Sequence, residues 1–311
     1  MSQSTASEYL RHGQTPFFRL PSELALDADR ADAVLVGIPH DGGTTYQPGA
    51  RFAPYHVRRT SALVQGYHPV HRIDAFARLR AVDGGNVVFP PFDRAAMREA
   101  VGAHIRRIVD AGAAPVVVGG DHSVTTPIVA ALAAAKGPLA VLHVDAHLDT
   151  SGPETWGDDH HHGTPIRHAL ANGWIAPGAL ASLGIRGAQG SADDGDLVRR
   201  HDALVASPDD VAARGLPRLI GELRERFVER PLYITIDVDG LDPAFAPGTG
   251  TPVPGGLTSR EVIGLLRGLA GLNVIGMDVV EIAPALDHAD LTCHLGAHLL
   301  FEGLALLAVR T

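Results

Sequence analysis

Three short clusters of acids and histidines stand directly after apolar runs in this 311-residue chain. Asp121-His122-Ser123 follows PVVVGG, Asp145-Ala146-His147-Leu148-Asp149 follows PLAVLHV, and Asp237-Val238-Asp239 follows PLYITI. His122, Asp145, His147, Asp149, Asp237 and Asp239 are therefore candidate metal ligands, two imidazoles and four carboxylates. Carboxylates converging on one pocket repel one another as anions, and burial penalises each charge further. Divalent cations resolve that conflict. A mixed imidazole and carboxylate set suits Mn, Fe, Ni or Zn, whereas oxygen alone would suggest Mg or Ca. Residues two apart on a strand share a face. Alternation is thus expected to point Asp145, His147 and Asp149 one way, with Val144, Ala146 and Leu148 packing the other way, and to set Asp237 beside Asp239. A single Asp-x-Asp at a strand end is more often a turn or helix cap; three clusters ending three separate runs argue against that reading.

Such groups need a scaffold that delivers them to one place. AVLVGI (33–38), PVVVGG (115–120), PLAVLHVD (138–145), ALASLGI (179–185), DALVAS (202–207), PLYITID (231–237) and LNVIGMDVV (272–280) read as strands, near-continuous in Val, Ile, Leu and Ala. Continuous apolar strands imply a parallel sheet buried on both faces. Helical patterns fall between most of them. One begins at Arg94 behind Asp93 as cap and ends near Gly112; an alanine-rich one runs from Thr125 to Lys136 and is stopped by Gly137. The expected fold is α/β, a three-layer α/β/α sandwich around a mainly parallel sheet of roughly eight strands. Residues 31–311 read as a single catalytic domain, preceded by a mostly irregular extension over residues 1–30. Open parallel sheets bind ligands beyond the carboxyl ends of their strands, where these clusters lie. GTGTPVPGG (248–256) does not run from strand into helix, so it reads as a rigid active-site loop rather than a phosphate cradle.

A net charge of -9 argues against a nucleic-acid partner. No uncharged apolar run is long enough to span a bilayer, so no membrane partner is expected. The first thirty residues lack the apolar core of a signal peptide, and Cys293 is the only cysteine, which together suggest the cytoplasm. His143, His168, His201, His288, His294 and His298 stand outside the motifs and read as structural, and His160 as a solvated loop residue.

In chain order, GGDHS, HVDAHLDT, HGTPIR, IDVDGLDPAFAPGTGTP and VVEIAP resemble the ureohydrolase (arginase/agmatinase) family. PGARFAP and the Asp-Gly-Gly of GIPHDGG and VDGGN are similar to its agmatinase branch, and other stretches to guanidinobutyrase and proclavaminate amidinohydrolase relatives. The resemblance implies hydrolysis of a small cationic guanidino compound, agmatine first, to urea and a primary amine. Guanidinobutyrase-type or proclavaminate amidinohydrolase-type activity is the alternative. It further implies two divalent ions, Mn(II) before Ni(II), and a homo-oligomer, trimer or hexamer. Carried over by motif, His122 and Asp149 would bind one metal, His147 and Asp239 the other, and Asp145 and Asp237 would bridge both. His162, just before Gly163, would be the mobile acid/base histidine, and Glu281 the carboxylate that holds the guanidinium. His40 and Asn86 depart from the family pattern and bear on substrate fit.

The chemistry explains why such a set is needed. Resonance makes the guanidinium carbon a poor electrophile, a metal pair can acidify the attacking water, and the leaving amine needs a proton from a group such as histidine. A one-zinc deacetylase of the same fold would have no use for His122 and Asp149. A catalytically silent, metal-binding partner subunit would have none for His162 and Glu281. For Glu281 the ordinary alternative is a salt bridge to Arg51 or Arg186. Loops 44–47 and 154–160 are expected to meet the substrate tail.

Overall fold

Residues 16–22, 31–189 and 195–310 are described by a computed structural model. The apolar runs become β1 (Ala33–Gly37), β5 (Ala114–Val118), β6 (Leu139–Val144), β7 (Ile175–Leu183), β8 (Leu204–Ala206), β9 (Leu232–Asp237) and β10 (Val274–Val280). Every residue of β1, β5, β6, β9 and β10 is buried, as continuous apolar sequence requires of strands covered on both faces. Together with β4 (Ala81–Asn86) they form an eight-stranded sheet in the order β4-β1-β5-β10-β9-β6-β7-β8, parallel throughout. A separate antiparallel pair joins β2 (Tyr67–His68) to β3 (Ile73–Asp74).

β2, β3 and β4 fall outside the apolar runs, and of these only β4 belongs to the main sheet. Its run AVDGGN holds an aspartate and two glycines, poor strand formers that survive here at the edge of the sheet. Asp83 is satisfied by Arg58, whose Nε donates at 2.8 Å, and by the backbone N–H of Phe17 at 2.9 Å. That contact anchors part of the stretch read as an extension. Phe17 and Phe18 are both fully buried, and each such burial contributes up to about 3 kcal/mol. The rest of that stretch, residues 1–15 and 23–30, lies outside the described residues.

Helices flank the sheet in two groups. Arg94–Asp110, Thr125–Lys136 and Pro165–Ala171 pack on one another, as do Ala53–Ser61, Ser259–Gly268 and Leu291–Val309. Asp93 caps the first by accepting from Ala96 N, and Gly137 ends the second at φ 79°, an angle that favours glycine. Leu291–Val309 is long and apolar enough to cross a bilayer, yet 78% of that window is buried inside the fold. A helix apolar all round suits a core position. Its one acid, Glu302, accepts from Arg267 Nε at 2.9 Å and pairs with His68 Nε2 at 2.9 Å.

The strand order does the positioning. β5, β10, β9 and β6 are consecutive neighbours, so the segments leaving their carboxyl ends, at 119–124, 281, 237–239 and 145–149, meet side by side.

Candidate metal centre

Most of the ligands do not lie on the strands themselves. β6 stops at Val144 and β9 ends on Asp237, so apart from Asp237 the ligands sit on the turns that follow. Strand alternation therefore does not aim most of them. The carboxylates instead fold their own turns: Asp145 Oδ1 accepts from His147 N at 2.6 Å and Asp237 Oδ1 from Asp239 N at 2.8 Å. Such aspartate turns bend the chain at once after a strand. Asp121 does the same for His122–Val124, accepting from Ser123 N at 2.9 Å. Ala146 N donates to Asp239 Oδ1 at 3.0 Å and so ties two of the turns together.

The result is two histidine-centred groups that share a carboxylate. His122 Nδ1 lies 2.9 Å from Asp149 Oδ2, 3.1 Å from Asp145 Oδ2 and 3.4 Å from Asp237 Oδ2. His147 Nδ1 lies 3.2 Å from Asp239 Oδ2 and 3.4 Å from Asp145 Oδ1. Asp145 thus turns one oxygen to each histidine. All are buried except His147, whose side chain is 34% exposed.

The electrostatics call for cations. Burial, with Asp239 and Asp145 alongside, pushes the Asp237 carboxyl well up, and burial with Asp145 raises Asp239. Burial alone would lower His122, but Asp149, Asp145 and Asp237 outweigh it and raise the ring well above its ordinary value. His122 Nδ1 and Asp149 Oδ2 are buried without a hydrogen-bond partner. Orphaned buried polar atoms are costly, and a divalent ion accepting both lone pairs removes that cost. The nitrogen and carboxylate donors therefore fit a pair of transition-metal ions.

Further residues hold the ligands in place. His143, read from the sequence as structural, sets Nε2 2.9 Å from Asp145 Oδ2 and Nδ1 3.1 Å from Ser182 Oγ. Its position two residues before Asp145 was the available signal. His122 Nε2 lies 2.9 Å from Thr235 Oγ1, which donates to Asp278 Oδ1 at 2.5 Å. Asp278 Oδ2 accepts from Thr125 Oγ1 and Tyr233 OH, each at 2.7 Å. With the threonine proton on Asp278, Oγ1 accepts from His122 Nε2–H, and the Nδ1 lone pair is left for a metal.

Glu281 and His162 form a pair. Glu281 Oε1 accepts from His122 N at 2.9 Å and lies 3.0 Å from His162 Nδ1. The salt bridges weighed for Glu281 are absent among the described residues: Arg51 pairs with Asp41, and Arg186 donates to backbone carbonyls, among them Asp239 O at 2.8 Å. Burial works against a charged His162, but the hydrogen bond and charge of Glu281 outweigh it and hold the ring up at about 9. Burial raises the Glu281 carboxyl, with His162 opposing. His161 is buried and accepts from Gly163 N at 3.1 Å, and His160 stacks on His168 at 4.4 Å, half-buried rather than solvated. His162 is the member of the run that meets Glu281.

A cavity of about 360 Å³ opens over this cluster. His147, Asp149, His162, Asp237 and Asp239 line its floor, and Thr45, Ser151, Thr155, Trp156, Gln189 and Thr251 line its walls. Glu281 does not line it; His162 does. His40 and Asn86 do not line it either: His40 is buried edge-on to Phe89, and Asn86 accepts from Arg58 at 2.6 Å. The loop read as rigid, 248–256, reaches the cluster through Thr251 Oγ1, which donates to Asp239 Oδ2 at 3.1 Å. A Cβ at Gly250 would stand 2.5 Å from Gln47 O, so only glycine lets this loop meet loop 44–47.

The arginase-family profile matches residues 31–305. The chain belongs to the arginase family. Proclavaminate amidinohydrolase of Streptomyces clavuligerus is 41% identical over 297 residues, 94% of each chain, and a solved structure of that enzyme covers 97% of this chain and 99% of its own with a TM-score of 0.91. Guanidinopropionase of Pseudomonas aeruginosa is 40% identical, covering 97% of this chain and 95% of the relative. Mitochondrial agmatinase of Gallus gallus is 38% identical, covering 95% and 86%. This arginase-family chain is accordingly a hydrolase of carbon–nitrogen bonds in linear guanidino compounds. Membership also sets aside the one-zinc deacetylase, because the family depends on two metals and the buried His/Asp groups can hold them.

Proposed function

We propose that the chain hydrolyses a small guanidino compound to urea and a primary amine, with His122 and Asp149 on one divalent ion, His147 and Asp239 on the other, and Asp145 and Asp237 shared. The observation that carries this reading is the division of Asp145 between His122 and His147. Mn(II) is the first candidate and Ni(II) the second. When bound, the ions supply an acidified water as nucleophile. His162, held charged by Glu281, carries the proton that the leaving amine needs. Both side-chain hydrogen bonds of Glu281 fall on Oε1 and it does not line the cavity, so for Glu281 to hold a guanidinium N–H as well, His162 would have to move aside and open Oε2. The same reading takes the enzyme to be a cytoplasmic homo-oligomer, trimer or hexamer; a monomer in sedimentation at micromolar concentration would refute that part.

For the tail we favour a carboxylate. Beyond the floor histidines and aspartates, no charged side chain lines the cavity among the described residues, and Ser151, Thr155, Thr251 and Gln189 offer neutral donors. A carboxylate accepts from hydroxyl and amide groups, whereas an ammonium wants an anion. Proclavaminate amidinohydrolase and guanidinopropionase, both named for acids, support the same choice. Agmatine is the second reading, favoured by Trp156, which is 62% exposed at the wall and can face an ammonium. Urea release across a guanidino panel, with Mn and Ni loaded separately, tests both. A higher kcat/KM for 4-guanidinobutyrate or 3-guanidinopropionate than for agmatine is expected, and the reverse order would install agmatine.

A further inference from the structure

Thr45 stands on the exposed tip of the 44–47 loop, yet its hydroxyl is not spent on solvent alone. Thr45 Oγ1 lies 2.8 Å from His162 Nε2. The other ring nitrogen, Nδ1, is taken by Glu281 at 3.0 Å. His162 N donates to Gly43 O at 3.1 Å, so the same loop also carries the histidine's backbone. The loop is itself pinned: Gly43 N donates to Asp121 Oδ2 at 2.7 Å and Gly49 N to Asp41 Oδ2 at 2.9 Å. Thr45 and His162 both line the cavity, and Glu281 does not.

We infer that Thr45 is a positioning residue for His162, aiming its reactive nitrogen into the cavity. This rests on the reading of His162 as the proton carrier. With Glu281 on Nδ1, Nε2 is the nitrogen left to deliver a proton. A hydroxyl suits it in both states of charge, accepting from Nε2–H when the ring is charged and donating to the Nε2 lone pair when it is neutral. Without that partner only the Glu281 bond restrains the ring's tilt, and angular error at a proton donor slows turnover rather than weakening binding. Because Thr45 rides on a loop that borders the cavity, a tail that displaces the tip also displaces the donor. Tail preference is then expressed in kcat as well as in KM.

Thr45→Val keeps the shape and removes the hydroxyl; Thr45→Ser keeps the hydroxyl. The metal-loaded enzyme with Thr45→Val should lose about tenfold in kcat with KM nearly unchanged, the scale of one hydrogen bond to a charged group. Thr45→Ser should restore most of it, with metal content equal in all variants. In a His162→Asn background, Thr45→Val should cost nothing more, because its target is gone. A wild-type kcat for Thr45→Val, or the same tenfold loss with and without His162, overturns the inference and leaves the proton-carrier reading standing. Wild-type turnover in His162→Asn alone would remove that reading, and this inference with it.

Discussion

Glu281 stands behind His162, with Oε1 3.0 Å from Nδ1 of the ring and the carboxylate shut away from the cavity that the ring borders. A buried carboxylate against an imidazole stabilises the charged ring, so a histidine that would be mostly neutral at pH 7 is held up at about 9. The pair therefore stores a proton beside the site under ordinary conditions.

The pH dependence follows from that sign. The donor form of His162 is present below about 9 and is lost as pH rises through it, so kcat should fall on that alkaline limb. Glu281→Gln removes the charge that raises the ring, and the limb should move to lower pH. His162→Asn should abolish the limb and slow turnover by ~10²–10⁴-fold while leaving metal content intact. If Glu281→Gln acts only through His162, the double variant is no slower than His162→Asn; a further loss, equal for every guanidino substrate, would mark a direct contact with the shared head group.

Asp145 offers one oxygen to each histidine group, so Asp145→Ala should release both metals rather than one. Elemental analysis of the purified variant decides the matter, and two ions retained per chain would break the bridging assignment.

Thr235 joins His122 to the buried Asp278. Thr235→Val preserves volume and severs the link, leaving the ring tautomer unfixed and Asp278 short of a donor. Partners at this remove are typically worth ~10–100-fold in metal affinity. Chelator competition should show a loss of that size, with Thr235→Ser close to wild type; equal affinity in Thr235→Val would make the link merely structural.

Tail recognition should separate from head-group chemistry. Trp156→Ala is expected to lower kcat/KM for agmatine more than for 4-guanidinobutyrate, because only the cationic tail gains from an aromatic face. Ser151→Ala should do the opposite. An unchanged ratio in both variants would show that these walls do not read the tail.

The strands and their ends were legible because the apolar runs are continuous and the clusters contiguous: Asp145, His147 and Asp149 lie within five residues of sequence. β4 was not legible, since Asp83, Gly84 and Gly85 contradict strand propensity and only an edge position and Arg58 make them tolerable. The ligand turns were misread as strand because alternation and an aspartate turn both bring residues i and i+2 together. The Glu281–His162 pair spans 119 residues and the Thr45–His162 contact 117, and no local pattern announces such partners. Thr235 and Asp278 are hidden for a different reason. A polar residue inside an apolar strand looks like noise until its neighbours across the sheet are known.

Asp149 and Glu281 share one more property, a left-handed backbone, with φ of 54° and 63°. That region costs a residue with a side chain of order 1–3 kcal/mol and costs glycine almost nothing. An engineer ranking positions by backbone comfort alone would install glycine at both and relieve that strain in the metal-free chain. What would be lost is a ligand from one and the proton store from the other, so the sturdier backbone would belong to an inert protein. Screens that select this enzyme for heat tolerance should therefore watch those two codons first, because comfort and turnover pull there in opposite directions.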